Sequence, residues 1–370
     1  MGEINLNIRQ KKVVQAQDSR ILCLACAAAG KSRVLTERAR YVIEQGWSKP
    51  EDMVAITFTN QAASEMYSRL GKSGEKMFIG TIHSYANKLC TFNGLDTSQY
   101  IREEKFDKII ERAMTIPRDK LKVISYLFVD ECQDLGDLEF KFLTYLRKDN
   151  EYWTGDDRQA IYGFKGSTDK YLREMYEDPT YKKYFLVENY RNTPEIVDFA
   201  EGFLNGTEPL SPRTIPKKTK NGFIEKCRFP DALEELELSG NWGSWFIIAR
   251  TNRDVYSIME QLKEKEIPNA TFKRSELSIE EMENLMAENT VKVMSIHQSK
   301  GLESPNVIVV GALTYNKEER RIAYVAATRA ETNLWWCPAL KKDEGKLKEP
   351  NRNFKVNRKI ERAYGELIEF

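Results

Sequence analysis

The stretch Ile21–Ser32, I-L-C-L-A-C-A-A-A-G-K-S, constrains this chain more than any other. An apolar run ends in a turn of very small residues, and Gly30-Lys31-Ser32 then opens a helical pattern. Strand, loop and helix N-terminus in that order suit a phosphate chain. Loop and first-turn N–H groups point at the anion, Lys31 neutralises it, and the Ser32 hydroxyl is a ligand for Mg²⁺. Cys26, Ala27, Ala28 and Ala29 fill loop positions where glycine is usual, and only Gly30 remains. Taken alone, Gly-Lys-Ser fits a small-residue turn in any α/β protein equally well. The downstream elements separate the two readings.

Composition sets broad limits. The 370 residues are 41% hydrophobic and 31% charged, which gives room for two buried cores. No apolar run approaches the length of a membrane span, and Met1–Gln10 is polar, so a cytoplasmic protein is expected. The net charge of +1 neither demands nor excludes a nucleic-acid partner, because a local groove can be basic on a neutral chain. Cys23 and Cys26 form a C-x-x-C with no second pair to complete a zinc site. Residues three apart on a strand lie roughly 10 Å apart, too far for a disulfide. All 6 cysteines are therefore expected as thiols, and the 2 histidines, His83 and His297, exclude a His-rich metal site.

Apolar β-branched runs alternate with amphipathic stretches. Strands are expected at Arg20–Leu24, Met53–Phe58, Met77–Gly80, Tyr126–Val129, Tyr152–Thr154 and Tyr184–Val187, with helices at Ser32–Glu44, Gln61–Leu70 and His83–Leu89. The rhythm resumes with strands at Gly222–Lys226, Trp245–Ala249, Thr290–Ser295 and Asn306–Val310, and helices at Thr193–Leu204, Asp254–Lys265 and Lys317–Ala330. Thr207–Asn221 reads as a loop or linker within the second half, and Val356–Ile368 as a terminal helix. This is an α/β chain with mostly parallel sheets covered on both faces, in two lobes expected at 1–188 and 189–370.

Several clusters carry chemistry. Phe128-Val129-Asp130-Glu131 is an apolar strand ending in two carboxylates: Asp130 suits Mg²⁺, and Glu131 suits activation of a water. Alone it would be a solvated loop; after a Gly-Lys-Ser turn it gains meaning. Gly155-Asp156-Asp157-Arg158-Gln159 offers Gln159 to a γ-phosphate, and Tyr162, Phe164 and Lys165 beyond it form either a base-stacking group or an aromatic core. Phe58 and Asn60 end a strand with an aromatic and an amide, where a helix cap is the competing role. Asn189-Tyr190-Arg191 and Arg329 supply cations suited to phosphate charge, against the blander reading of a solvated charged face. The turn from Ser295 to Glu303 gathers hydroxyl, imidazole (His297), ammonium and carboxylate.

In order, Gln10, Gly-Lys-Ser (30–32), Thr-Phe-Thr-Asn (57–60), Gly-Thr-Ile-His (80–83), Val-Asp-Glu-Cys-Gln-Asp (129–134), Gly-Asp-Asp-Arg-Gln (155–159), Asn-Tyr-Arg (189–191), His-Gln-Ser-Lys-Gly-Leu-Glu (297–303) and Tyr-Val-Ala-Ala-Thr-Arg-Ala (324–330) form a set. That ordered set closely resembles the UvrD/Rep/PcrA-like helicases of superfamily 1, across nearly the whole chain. The resemblance implies two RecA-like lobes with ATP between them and single-stranded DNA across their tops. It implies that Gln10 reads adenine, with Arg33 and Tyr190 sandwiching the ring. Ala28, Ala29, Gly30, Lys31 and Ser32 would hold phosphate, and Ser32 and Asp130 would hold Mg²⁺. Glu131 would activate water, Gln159, Arg191 and Arg329 would surround the γ-phosphate, and Glu303 would contact ribose. Phe58, Asn60, His83, Tyr162, Phe164, Lys165 and His297 match DNA-facing positions.

The departures carry expectations of their own. Cys26 and Ala28 restrict positive φ and close phosphate approach, which puts ATP turnover in question. Gln61, Arg158 and Phe164 replace a usual Lys, acid and Trp, which implies retuned DNA contacts. About 40 residues separate His83 from the strand ending at Asp130, and about 105 separate Arg191 from His297, so large inserted subdomains are not expected. Such a compact form fits a phage or mobile element acting in a bacterial cell. The expected activity is ATP-dependent 3′→5′ translocation on single-stranded DNA, with unwinding at single-strand/duplex junctions, in replication, recombination or repair. The alternative is an ATP-gated single-stranded-DNA binding or loading module that acts with a partner protein. A P-loop ATPase without nucleic acid is the third reading.

Overall fold

The computed structural model describes residues 6–163, 169–272, 277–340 and 361–362. The chain divides into two compact units: Met1–Glu188 with Pro209–Arg213, and Asn189–Glu208 with Thr214–Phe370.

The first unit contains strands β1 (Arg20–Ala25), β2 (Met53–Thr57), β3 (Phe78–Thr81), β4 (Ile124–Val129), β5 (Lys148–Gly155) and β6 (Lys182–Leu186). Its helices are α1 (Ile8–Val14), α2 (Lys31–Glu44), α3 (Asn60–Leu70), α4 (Ile82–Phe92), α5 (Ser98–Arg102), α6 (Phe106–Ala113), α7 (Asp137–Tyr145) and α8 (Lys170–Glu177). The strands pair in the order β3-β2-β4-β5-β1-β6, all parallel. A parallel sheet covered on both faces needs strands without a polar side. β1 meets that demand, with Ile21, Leu22, Cys23 and Leu24 fully buried. Alternation along each strand feeds two cores. Leu22, Leu24, Val54, Ile56, Leu127, Val129 and Trp153 enter one, which α4, α6, α7 and α8 also line. Ile21, Cys23, Ala55, Phe128 and Tyr152 enter the other, with α1, α2 and α3. Between α4 and β4 lie only α5, α6 and a short 3₁₀ turn at Arg118–Lys120, so no large subdomain is inserted there.

The second unit contains the short pair β7 (Glu188–Asn189, which begins on the last residue of the first unit) and β8 (Ile215–Pro216), and a larger sheet. The larger sheet is built from β9 (Phe223–Lys226), β10 (Trp245–Ala249), β11 (Asn269–Thr271), β12 (Val291–Ser295), β13 (Ser304–Val310), β14 (Ala330–Cys337) and the two-residue β15 (Glu361–Arg362). Its order is β15-β11-β12-β10-β13-β14-β9; every pairing is parallel except that of β11 with β15. The helices are α9 (Pro194–Phe203), α10 (Phe229–Ser239), α11 (Asn252–Glu264), α12 (Ile279–Ala287) and α13 (Lys317–Ala327). Trp245, Ile247, Val293, Ile308 and Trp335 pack with residues of α10 and α11 on one face. Each unit is thus a RecA-like α/β layer structure.

Several expectations change. The helix expected to run to Ala330 stops at Ala327 with Thr328 as its C-cap, whose hydroxyl donates to the Tyr324 and Val325 carbonyls, and β14 starts at Ala330. Thr207–Asn221 is not one linker: 209–213 belongs to the first unit, and Ile215–Pro216 pairs as β8. Of the helix expected over Val356–Ile368, only Glu361 and Arg362 are described, and they are strand. Among the described residues no helix is long and apolar enough to cross a membrane, and no disulfide forms.

Candidate nucleotide and nucleic-acid sites

In the first unit the candidate phosphate residues follow the C-terminal ends of neighbouring strands, where the loops of an open parallel sheet form its ligand crevice. β1 leads into the loop Cys26–Gly30, and α2 begins at Lys31. The Cys26 N–H still donates to Leu186 O, and the Ala29 N–H folds back onto Cys26 O. Ala28 lies at φ +58° and Gly30 at φ +81°. Alanine therefore takes up the left-handed turn that glycine adopts more readily, at a cost of about 1–2 kcal/mol. Cys26 has no positive φ, so its side chain meets no such penalty. Gly30 is the N-cap of α2 with no side-chain cap, which leaves first-turn N–H groups to an anion.

Gln10 reaches this loop from α1. Its Nε2 donates to Ala29 O at 3.0 Å, and its Oε1 accepts from Asn7 N. One end of the amide thus braces the loop, while the other closes the capping box of α1. Arg33 is exposed on the first turn of α2.

Asp130 and Glu131 follow β4. The Asp130 N–H extends the ladder to Ile56 O, and its Oδ2 accepts from Ser32 Oγ at 3.0 Å. Burial, with the Glu131 charge adding to it, pushes the Asp130 carboxyl up to about 6 against the pull of Lys31. Glu131 sits at φ +51° and pairs with Lys31 Nζ at 3.2 Å. Burial works against the Lys31 ammonium, but Glu131, Asp156 and Asp130 outweigh it and hold the group above its ordinary range. Ser32 and Asp130 supply the hard oxygen donors that Mg²⁺ prefers. Among the described residues no cluster of three or more His, Cys, Asp or Glu could hold a metal alone. A cation on this pair would need phosphate and water oxygens as well, which is how Mg²⁺ is bound beside nucleotides.

A buried relay extends from Glu131. Gln133 Nε2 donates to the Glu131 carboxylate, and Gln133 Oε1 accepts from Asp156 N at 3.0 Å. Asp156 Oδ2 then accepts from Gln159 Nε2 at 2.6 Å. Gly155 permits this approach, since a Cβ there would lie 2.6 Å from Gln133 Oε1 and 2.8 Å from Cys132 Sγ. Sequence reasoning gave no role to Asp156 and only noted Gln133; the signal was their adjacency to the two acidic motifs. Arg158 corrects an expectation. It is 1% exposed and donates to the backbone carbonyls of Ser211 and Pro212, so it does not face DNA.

Phe58, at the end of β2, is 43% exposed and stacks on Tyr162 with ring centroids 5.8 Å apart. Thr59 caps α3 by accepting from Ala62 N, and Asn60 is exposed beside it. His83 lies on α4, edge-on to Phe106, with Nε2 3.9 Å from Asp107 Oδ1. Phe164 and Lys165 lie outside the described residues.

In the second unit Arg191 pairs with the Glu303 carboxylate, and Arg329 Nη1 donates to the adjacent Leu302 carbonyl at 3.2 Å. One turn thus holds both guanidinium groups. Burial lowers the Arg191 guanidinium, and Glu303 counters it. Asn192 Nδ2 fixes this loop to the Thr328 and Ala330 carbonyls, a role no local pattern announced. Tyr190 is 45% exposed, and His297 is half-buried on the turn after β12.

Residues 6–111 and 95–180 match the UvrD/REP helicase N-terminal domain, and 269–340 match the UvrD-like helicase C-terminal domain. The chain belongs to the UvrD-like helicase family. A putative ATP-dependent DNA helicase of Acanthamoeba polyphaga mimivirus is 25% identical over 363 residues, covering 85% of this chain and 50% of that protein. The putative ATP-dependent DNA helicase YjcD of Bacillus subtilis is 22% identical over 367 residues, covering 72% and 48%. The ATP-dependent DNA helicase PcrA of Leuconostoc citreum is 24% identical over 371 residues, covering 71% and 49%. The chain spans about half the length of these curated relatives. In this UvrD-like chain the first match contains Gln10, Lys31, Ser32, Asp130, Glu131 and Gln159, the second contains His297, Glu303 and Arg329, and Tyr190 and Arg191 lie between the two.

Proposed function

We propose that this UvrD-like chain hydrolyses ATP to translocate on single-stranded DNA and to unwind duplex. The observation that carries the proposal is the largely half-buried set Ser32–Asp130 and Lys31–Glu131 in the same unit as the stack of exposed Phe58 on Tyr162. In this reading the Ala28–Gly30 loop and Lys31 hold the triphosphate, and Ser32 and Asp130 hold Mg²⁺, which supplies charge neutralisation at the phosphates. Glu131 takes a proton from the attacking water. Its ion pair with Lys31 aims it at the phosphate site. Gln159 senses the γ-phosphate through the Asp156–Gln133–Glu131 relay. Arg191 and Arg329 are the cations proposed for the γ-phosphate, Glu303 for the ribose, and Gln10, Arg33 and Tyr190 for adenine.

Phe58, Asn60, His83, Tyr162 and His297, with Phe164 and Lys165, are proposed to meet single-stranded DNA. Aromatic faces stack bases of any sequence, which suits a motor that must pass over all of them. The family resemblance supports 3′→5′ polarity and work in replication, recombination or repair.

Steady-state ATPase with and without single-stranded DNA, followed by unwinding of 3′- and 5′-tailed duplexes, tests the proposal. DNA-stimulated turnover that Lys31→Ala abolishes, with unwinding of the 3′-tailed duplex, is expected. Turnover indifferent to both DNA and Lys31 overturns it. Turnover without unwinding replaces it with a binding or loading module.

A further inference from the structure

The chain leaves the second unit after Glu208, gives Pro209–Arg213 to the first unit, and returns at Thr214. Hydrogen bonds with the turn after β5 seat this strap. Arg158 Nη2 donates to Ser211 O at 3.0 Å and to Pro212 O at 2.6 Å, and Leu210 N donates to Asp157 Oδ2 at 3.1 Å. Arg158 and Asp157 are each 1% exposed. A buried guanidinium on two backbone carbonyls is costly to remove, because charge and acceptors would all lose their partners.

These residues lie in the 3₁₀ turn Asp157–Gln159. The two oxygens of Asp156 hold its other side: Oδ1 accepts from Arg158 N at 3.2 Å, and Oδ2 from Gln159 Nε2 at 2.6 Å. The turn is therefore gripped from the relay by Asp156 and from the strap by Arg158. We propose that Arg158 is a positioning residue: by docking Leu210–Arg213 it fixes the turn that aims Gln159. This rests on the proposed role of Gln159 at the γ-phosphate. An acid at this position would have no proton to donate to the strap carbonyls and would face Asp156 and Asp157, so the strap and Arg158 belong together.

Two variants separate the roles. Arg158→Met keeps volume and removes the donors, and Arg158→Lys keeps charge and can serve one carbonyl. Trypsin cleavage of the Arg213–Thr214 bond reads docking. With Arg158→Met, cleavage is expected to quicken about tenfold. The DNA-stimulated kcat is expected to fall about ten- to a hundredfold, with KM for ATP within about twofold. Arg158→Lys falls between Met and wild type, and remains informative if the Met variant does not fold. Unchanged cleavage in the lysine and methionine variants overturns the docking. Faster cleavage with unchanged kcat overturns the positioning role. A wild-type chain without ATP turnover overturns the proposed function, and the cleavage result alone then decides the docking.

Discussion

The Ser32 hydroxyl donates to Asp130 Oδ2 at 3.0 Å, although 98 positions separate the two residues. Asp130 also lies beside Glu131, and burial with that second charge lifts its carboxyl from 3.8 to about 6. Between those values the folded chain keeps a proton that the unfolded chain has released. Stability therefore falls as pH rises through this window, and the cost is fully present above it. Asp130→Asn should raise unfolding stability near neutral pH by an amount on the order of 1–3 kcal/mol, and gain little near pH 4. The same change should abolish Mg²⁺-dependent turnover. Urea unfolding without nucleotide checks the first part; an Asn variant less stable than wild type at neutral pH would contradict it.

Ala28 at φ +58° makes a different prediction. Ala28→Gly relieves about 1–2 kcal/mol of local strain and adds about 0.5–1 kcal/mol of backbone entropy cost. The net expectation is a stability gain of up to about 1.5 kcal/mol. Ala28→Val should be destabilising, because a β-branched residue tolerates this region poorly. Thermal unfolding of the pair measures both. ATP kinetics of the glycine variant then show whether the alanine loop already fits phosphate: unchanged KM and kcat would mean that it does.

Phe58→Ala removes the exposed half of the stack with Tyr162. Stacking on an aromatic is worth about 1–3 kcal/mol per base. Affinity for a single-stranded oligonucleotide should fall between about fivefold and a hundredfold, with KM for ATP nearly unchanged. Fluorescence anisotropy reads the first, and a DNA-free ATPase assay the second. Undiminished DNA affinity would remove Phe58 from the proposed interface.

Gly155→Ala tests the relay. The added Cβ would sit 2.6 Å from Gln133 Oε1, so Gln133 must leave the Asp156 N–H. A loss of about 1–3 kcal/mol in stability is expected, with a fall in kcat larger than any change in KM. Wild-type kcat in a folded Ala variant would show that the relay is dispensable.

What was legible in the sequence follows from the range of the forces involved. β10 was visible from Trp245 to Ala249 because a parallel strand buried on both faces must be continuously apolar. Only Tyr152–Thr154 of β5 was visible, since its first residues are Lys148, Asp149 and Asn150. Lys31, Ser32, Asp130 and Glu131 were legible because phosphate chemistry ties those residue types to strand ends. Arg158 was not. Its partners are backbone carbonyls more than fifty positions away, and a carbonyl leaves no mark in a sequence. The brace from Gln10 to Ala29 O was hidden for the same reason. β14 was missed because Asn333 and Thr332 interrupt its apolar pattern, and α13 was extended over its start.

Leu210 packs against the apolar core that contains Leu22, Leu24 and Trp153. That core is thus completed by a residue translated after twenty residues of the other unit. A gene fragment stopping at codon 188 would encode a body whose apolar core lacks the cover that half-buried Leu210 provides. Dissection of this chain into halves therefore calls for a splice that returns Pro209–Arg213 to the N-terminal piece, and during synthesis the first body is complete only when the second has begun to emerge.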